Sequence, residues 1–257
     1  MGLFFGGDEE RFTPGVRKGG FPRYKEVLEG NWKDFIKVGF ITLLFFIPLA
    51  AGLFYAVGSQ SALAAIGAGL VGGAISGPGY ACMFDLILRR LRDDKADWTV
   101  CWKRSMKQNW KASLLPGAIQ GLFLALIVFA GALILWGAAP ISVGTLLLLA
   151  LSILLGTMVL TVWWAQVVTF EQKALQQVKN AVLFGVFHFG KTLLAALLQI
   201  AWWAVMALFM PWTAFVVPFL GLWYILFVAL HLIYPMLDAD FHIEEQIEEK
   251  FPGRLGD

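Results

Sequence analysis

ISGPGYACMFDLILRRLRDDKADWTVCWKRSMKQNWKAS, residues 75–113, joins two apolar runs through the most basic stretch of the chain. It leaves a glycine-rich segment at Gly77-Pro78-Gly79, becomes a basic helix end at Arg89, Arg90 and Arg92, and then carries tryptophan and lysine up to the next apolar run. Eight of the twenty lysines and arginines lie within it. No catalytic constellation is recognisable there, so the stretch speaks for an architecture before it speaks for a reaction.

Outward from this stretch, the apolar residues gather into runs at Gly39 to Val57, Ala62 to Leu88, Leu114 to Trp136, Ile141 to Thr169, Phe187 to Met210 and Thr213 to Leu237. About 20 residues of helix cross ~30 Å of hydrocarbon, so six transmembrane helices are expected. Composition agrees: 59% of the 257 residues are hydrophobic and 15% are charged, against about 25% charged in soluble domains. The expected fold is therefore all-α, an integral membrane helical bundle. Residues 1–21, rich in glycine, read as a flexible tail, residues 22–237 as a single membrane domain, and residues 238–257 as an acidic tail. From Pro22 to Lys37, Tyr24, Val27, Leu28, Trp32, Phe35 and Ile36 recur at helical spacing among charges, which predicts an amphipathic helix lying at the membrane surface before the chain turns inward. The polar first 38 residues lack the apolar core of a signal peptide, so the first apolar run is expected to act as an uncleaved insertion signal.

Orientation follows from the loops. Seven lysines and arginines precede the first run, eight lie between the second and third, three around the fourth-to-fifth connection, counting Lys191 at the mouth of the fifth run, and two in the tail. The remaining connections, at Gly58-Ser59-Gln60, Gly137-Ala138-Ala139-Pro140 and Met210-Pro211-Trp212, carry none. The positive-inside rule places both termini and the long loops in the cytoplasm. Trp32, Trp110, Trp163 and Trp164 are then expected at the inner boundary, and Trp136, Trp202, Trp203 and Trp212 at the outer one, with Trp223 deep in the last helix. Cys82 and Cys101 read as unpaired thiols on the reducing side.

Gly69, Gly73 and Gly77 recur every four residues, with Gly72 and Gly79 beside them, so a neighbouring helix can approach this backbone closely. Pro78 lacks a backbone donor and is expected to kink or interrupt the helix, a break that packing or a ligand could use. Between Trp98 and Trp110, large residues recur as Trp98, Trp102, Met106 and Trp110, beside the stripe Lys103, Lys107 and Lys111. Asp97 is placed to cap this amphipathic helix. Its expected home is the inner membrane surface, with indoles in the interface and ammonium groups toward lipid phosphates; docking of a partner's cytoplasmic domain is the second reading. Nucleic-acid binding is disfavoured because the helix is tethered between spans.

Ionisable groups at membrane depth are functional candidates by default. Asp85 is spaced to pair with Arg89 one turn on, and a relay between Asp85 and His231 is the proton-coupling alternative. His188 and Lys191 sit at the mouth of the fifth helix, and Gln120, Gln166, Gln199, Thr157 and Thr161 read as glue between helices. No metal-ligand spacing, Walker loop or nucleophile motif is present, so neither cofactor nor metal is expected and an enzyme is disfavoured; spatial convergence of Asp85, His188 and Glu171 is the enzymatic alternative. The acidic helix after Leu237, with Glu244, Glu245, Glu248 and Glu249, reads as solvated or as docked on the basic stretch.

Several separated pieces resemble the YesL-type family of bacterial membrane proteins: Pro14-Gly15-Val16-Arg17-Lys18, Phe46-Ile47-Pro48, Gly77-Pro78 followed by Ala81, Lys179-Asn180-Ala181, His188 to Thr192, and above all Ser105-Met106-Lys107-Gln108-Asn109-Trp110-Lys111-Ala112-Ser113. The chain departs from that pattern by extra apolar sequence at about Gly52 to Gly73. The resemblance implies a small polytopic protein encoded near carbohydrate uptake and breakdown genes, and it implies no catalytic residues. The expected function is a non-enzymatic accessory or assembly factor linked to carbohydrate uptake or utilisation, with membrane lipids and a membrane transporter as partners. The alternative is a small transporter or channel using the kinked second helix and the polar residues of helices three to six.

Overall fold

The first helix is longer than any membrane requires. In the computed structural model, which describes residues 19–94, 96–137 and 142–250, α1 runs without interruption over Gly20–Gly58, 39 residues. At 1.5 Å per residue that is roughly 58 Å, about twice the hydrocarbon thickness. The separate interfacial helix expected over Pro22 to Lys37 is thus the first part of α1, and the chain does not turn between the two. The reason is burial: Val27, Phe35 and Val38, the apolar edge expected to face lipid, are covered by protein. The expected tail falls largely on residues 1–18, outside the described residues.

Among the described residues six helices are long and apolar enough to cross a membrane, so the chain is a multi-pass, all-helical membrane bundle. After α1 come α2 (Ala62–Leu91), the short α3 (Trp98–Asn109), α4 (Leu114–Leu135), α5 (Val143–Thr169), α6 (Ala174–Phe187), α7 (Phe189–Leu208), α8 (Trp223–Phe241) and α9 (Ile243–Lys250). The expected fourth-run start at Ile141 lies outside the described residues. The sixth span is less regular than its sequence suggests: a 3-10 turn over Trp212–Phe215 and a π-helical stretch over Val217–Gly221 precede α8. That wide turn delivers Trp223 against α1, where a Cβ on Gly39 would lie 2.7 Å from the indole Cδ1. Helix α6, unforeseen in the third charged loop, buries Gln177, Ala181, Phe184 and Gly185 and leaves Leu175, Val186 and Phe187 exposed.

α2 is the axis of the bundle, antiparallel to both α1 and α4, and its small residues sort onto two faces. Gly69, Gly73 and Gly77 meet α4, where a Cβ on Gly73 would come within 2.7 Å of the Cα of Gly121. Gly72 meets α1, with a Cβ there only 2.6 Å from the Cα of Leu49. Backbones this close gain dispersion contacts that larger residues would forbid, and in lipid such contacts drive association. Of the kink or interruption expected at Pro78, the interruption is absent: α2 is helical on both sides of it and through it. Thr42 of α1 donates to the Gly79 carbonyl at 3.1 Å there, so α1 braces the helix at its weakest turn.

Every described lysine, arginine, aspartate and glutamate lies toward one end of the bundle, and the densest packing lies there too. Residues 81–92 are buried without exception, enclosed by the first half of α1, the end of α5, α8 and Ile243 of α9. The far half of α5, by contrast, leaves Leu146, Leu147, Leu148 and Leu151 exposed, which costs little where lipid tails are as apolar as leucine. Trp163 and Trp164, expected in the boundary belt, belong instead to this core. Trp164 packs against Tyr80 and Phe84 and donates to Gln120 Oε1, while Trp163 donates to Gln177 Oε1 at 3.3 Å. An indole N–H needs a partner or water, and here glutamines supply it.

Candidate functional site at the charged end

The end of α2 is a ladder of ion pairs. Arg89 sets its Nε 3.0 Å from both carboxylate oxygens of Asp85 and its Nη1 2.9 Å from Asp94 Oδ2. Arg90 donates from Nη1 to the Asp94 carbonyl at 2.7 Å and from Nη2 to Asp34 Oδ2 on α1 at 3.0 Å. Arg23, also on α1, donates to the Leu91 carbonyl at 2.9 Å and to Asp93 Oδ1 at 2.7 Å. Cations are favoured at a helix C-terminus by the peptide dipoles, and these guanidinium groups occupy that position while tying α1 to α2. Asp93 closes the helix in the left-handed region at φ +64°, which short polar residues tolerate. Arg92 is buried as well, and burial pulls its pKa below the ordinary value even though Asp85 and Asp94 oppose the shift.

The chain then reverses into α3, whose first turn is capped by Asp97: Oδ1 accepts from the Thr99 amide at 2.8 Å and from the Thr99 hydroxyl. These bonds to the ionised form hold the Asp97 carboxyl below the usual carboxylate range. Cys101 and Ser105 turn inward against α2; the Cys82 thiol approaches the Trp102 carbonyl at 3.7 Å, and both cysteines are free. Burial pushes the Cys101 thiol up. Trp98 and Trp102 are partly covered by the bundle, with Lys37 Nζ 5.4 Å over the Trp98 ring and Phe45 6.1 Å from Trp102. Trp110 keeps 45% of its surface exposed, beside Lys111 Nζ at 5.6 Å. Asn109 donates to Ser105 Oγ at 3.0 Å within α3. Between α3, Phe45 and Pro78 lies a groove of about 550 Å³ whose rim carries Lys103 and Lys107. Gly77 is covered by Ser113, the residue that opens α4.

The other candidates separate. His188 Nε2 lies 2.8 Å from Asp240 Oδ2, which ties the α6–α7 junction to the end of α8. His231 packs by its ring against Tyr24 at 5.7 Å and Phe227 at 6.2 Å. Among the described residues no hydrogen bond or ion pair joins His231 to Asp85, and none joins Asp85 to His188. The glutamines bind neighbours: Gln199 donates to Thr161 Oγ1 at 3.0 Å, and Gln166, with its amide turned to suit, bonds Gln177 and Ala181 of α6. Among the described residues no group of three His, Cys, Asp or Glu is arranged to hold a metal ion. The acidic helix α9 seats Ile243 in the core and Glu244 on the Tyr234 hydroxyl at 2.8 Å.

Sequence reasoning found Asp85 with Arg89 by their one-turn spacing. It missed Arg23 with Asp93 and Asp34 with Arg90, whose pairings span 70 and 56 residues and leave no local signal, and it missed Asp94, five residues after Arg89. Comparison of the chain with protein-family models, curated proteins and solved structures found no match.

Proposed function

We propose that this chain is a non-enzymatic accessory or assembly protein of a bacterial cytoplasmic membrane, with its charged end and both termini in the cytoplasm. The observation that carries this reading is how its polar groups at membrane depth are used. Asp85 is held by Arg89, Gln120 by Trp164 and Gln199 by Thr161, so the groups a solute or proton path would need serve helix packing. The cytoplasmic placement is supported by the lysine and arginine distribution. The partner, a carbohydrate importer, comes from the YesL-type resemblance. Surfaces suited to such a partner are the exposed face of α6, at Leu175 and Val186, and Trp110 of α3.

The test is affinity purification of the full chain from native membranes after photo-cross-linking from positions 110 and 186. Recovery of a transporter subunit linked at either position is expected. A chain that is recovered alone and moves a small solute in liposomes, with transport lost on Asp85→Asn or His231→Ala, would establish the transporter reading in its place.

A further inference from the structure

The groove beside α3 has the chemistry of a lipid site. Its walls are apolar, formed by Phe45 of α1, Pro78 of α2, and Trp102 and Met106 of α3. Its rim carries Lys103 and Lys107, one helical turn apart and exposed. Neither lysine has a hydrogen bond or ion pair among the described residues, whereas on α1 Lys25 pairs with Glu29 and Lys37 with Asp34. Two uncompensated ammonium groups above an apolar cleft match one kind of molecule: an anionic head carried on a hydrocarbon tail.

The position of the groove matches the same molecule. Ser113, where α3 gives way to the apolar α4, lies against Gly77, the residue before Pro78. The groove therefore straddles the level at which polar α3 meets a membrane span. Trp110, half exposed at its end, is the residue type that settles at that level, with its ring in the apolar layer and its N–H wet. A volume of about 550 Å³ falls within the range of ligand pockets, and the groove is open rather than enclosed. Charge complementarity favours a lipid phosphate over a zwitterionic head, because neither lysine has a carboxylate beside it to bind a choline or ethanolamine amine.

We infer that the α1–α2–α3 groove holds one anionic phospholipid of the adjoining leaflet, its phosphate between Lys103 and Lys107 and an acyl chain along Phe45, Pro78 and Met106. The inference stands apart from the accessory role proposed above, since it needs only that the chain is a membrane protein.

The full chain, purified in mild detergent and placed in phosphatidylcholine nanodiscs doped with phosphatidylglycerol, provides the test, with bound lipid counted by native mass spectrometry. Wild type is expected to retain one phosphatidylglycerol. Lys103→Gln with Lys107→Gln is expected to weaken retention roughly thirtyfold, the loss of two basic contacts at an anionic surface. Met106→Glu, which sets a carboxylate in the groove without touching either lysine, is expected to abolish retention while helical content stays unchanged. A control pair, Lys25→Gln with Lys33→Gln, should leave it intact. Equal retention of phosphatidylcholine, loss in the control pair to the same degree, retention in both groove variants, or displacement of the lipid by free glycerol phosphate would each overturn the inference.

Discussion

The Nε of Arg89 lies 3.0 Å from each carboxylate oxygen of Asp85, both side chains being almost wholly buried one turn apart on α2. A buried pair is costly to break from one side, because the partner is left charged and uncompensated, and about 3–5 kcal/mol is typical. Asp85→Ala is therefore expected to destabilise the protein by roughly that amount, softened because Asp94 still holds Arg89 at 2.9 Å. Replacing both residues by leucine is expected to recover part of the loss, since apolar residues of similar volume often substitute for a buried pair, while the buried Asp94 carboxylate gives up its contact with Arg89. Thermal unfolding of wild type, Asp85→Leu, Arg89→Leu and the double leucine variant in one detergent checks this as a double-mutant cycle, and additivity of the two single effects would contradict it.

The contact between Gly73 and Gly121 makes a second case. A Cβ on either would run into the backbone of the other helix, so α2 and α4 would have to separate along their whole contact. Gly73→Val is expected to cost at least the 1–3 kcal/mol typical of overpacking, because backbone cannot yield as a side chain can. Gly67 lies on the same helix with nothing within 4 Å of its would-be Cβ. Gly67→Ala is accordingly expected to be neutral or slightly stabilising, by up to about 1 kcal/mol of helix propensity. Melting temperatures of the two variants, compared in one detergent, should move in opposite directions or leave only Gly73→Val shifted.

The spans were legible because hydrocarbon demands one thing of every residue, apolarity, and the sequence states it directly. The glycine faces of α2 were legible for a related reason, since four-residue spacing of small residues has few other uses. What was not legible depends on which surface faces protein. Phe35 and Val38 look the same in sequence whether lipid or α8 covers them, so the continuity of α1 was missed. Trp163 and Trp164 likewise have the spacing of a boundary belt, and only the position of Gln120 and Gln177 on other helices makes them core. Within the candidate site, Asp85 and Arg89 were found by local spacing, whereas Arg23 with Asp93 and Arg90 with Asp34 exist only through the α1–α2 antiparallel packing. The groove escaped notice altogether, because Phe45 and Pro78 are distant in sequence from Lys103 and Lys107.

The two cysteines give a test of the packing at the α2–α3 contact. Cys82 and Cys101 each expose about 1% of their surface, and burial pushes the Cys101 thiol up. Alkylation needs an exposed thiolate, so a maleimide at neutral pH is expected to leave both unmodified in the folded protein and to label both after denaturation. Raising the pH to about 9 is expected to leave the native result unchanged, because burial keeps the reagent from both sulfurs. Rapid native labelling at Cys101 would mean that α3 does not hold its place against α2.

Asp97 provides a pH test of the α3 cap. Its carboxylate accepts from the Thr99 amide and hydroxyl, and those bonds hold its pKa below the ordinary value. The sign follows: a depressed folded pKa means that the contribution of the cap is present above the ordinary carboxylate pKa, near about 4, and disappears as pH falls through the lower folded value. Amide hydrogen exchange at Thr99 and Val100, corrected for the intrinsic pH dependence of exchange, should thus show constant protection from neutral pH down to about 5 and lose it only under strong acid. Asp97→Asn keeps an acceptor oxygen and is expected to preserve protection with no acid transition of its own, while Asp97→Ala is expected to fray the first turn of α3 at every pH. Because α3 forms one wall of the groove, the alanine variant should also loosen Trp102 against Phe45, read as a red shift in tryptophan emission that the asparagine variant does not show.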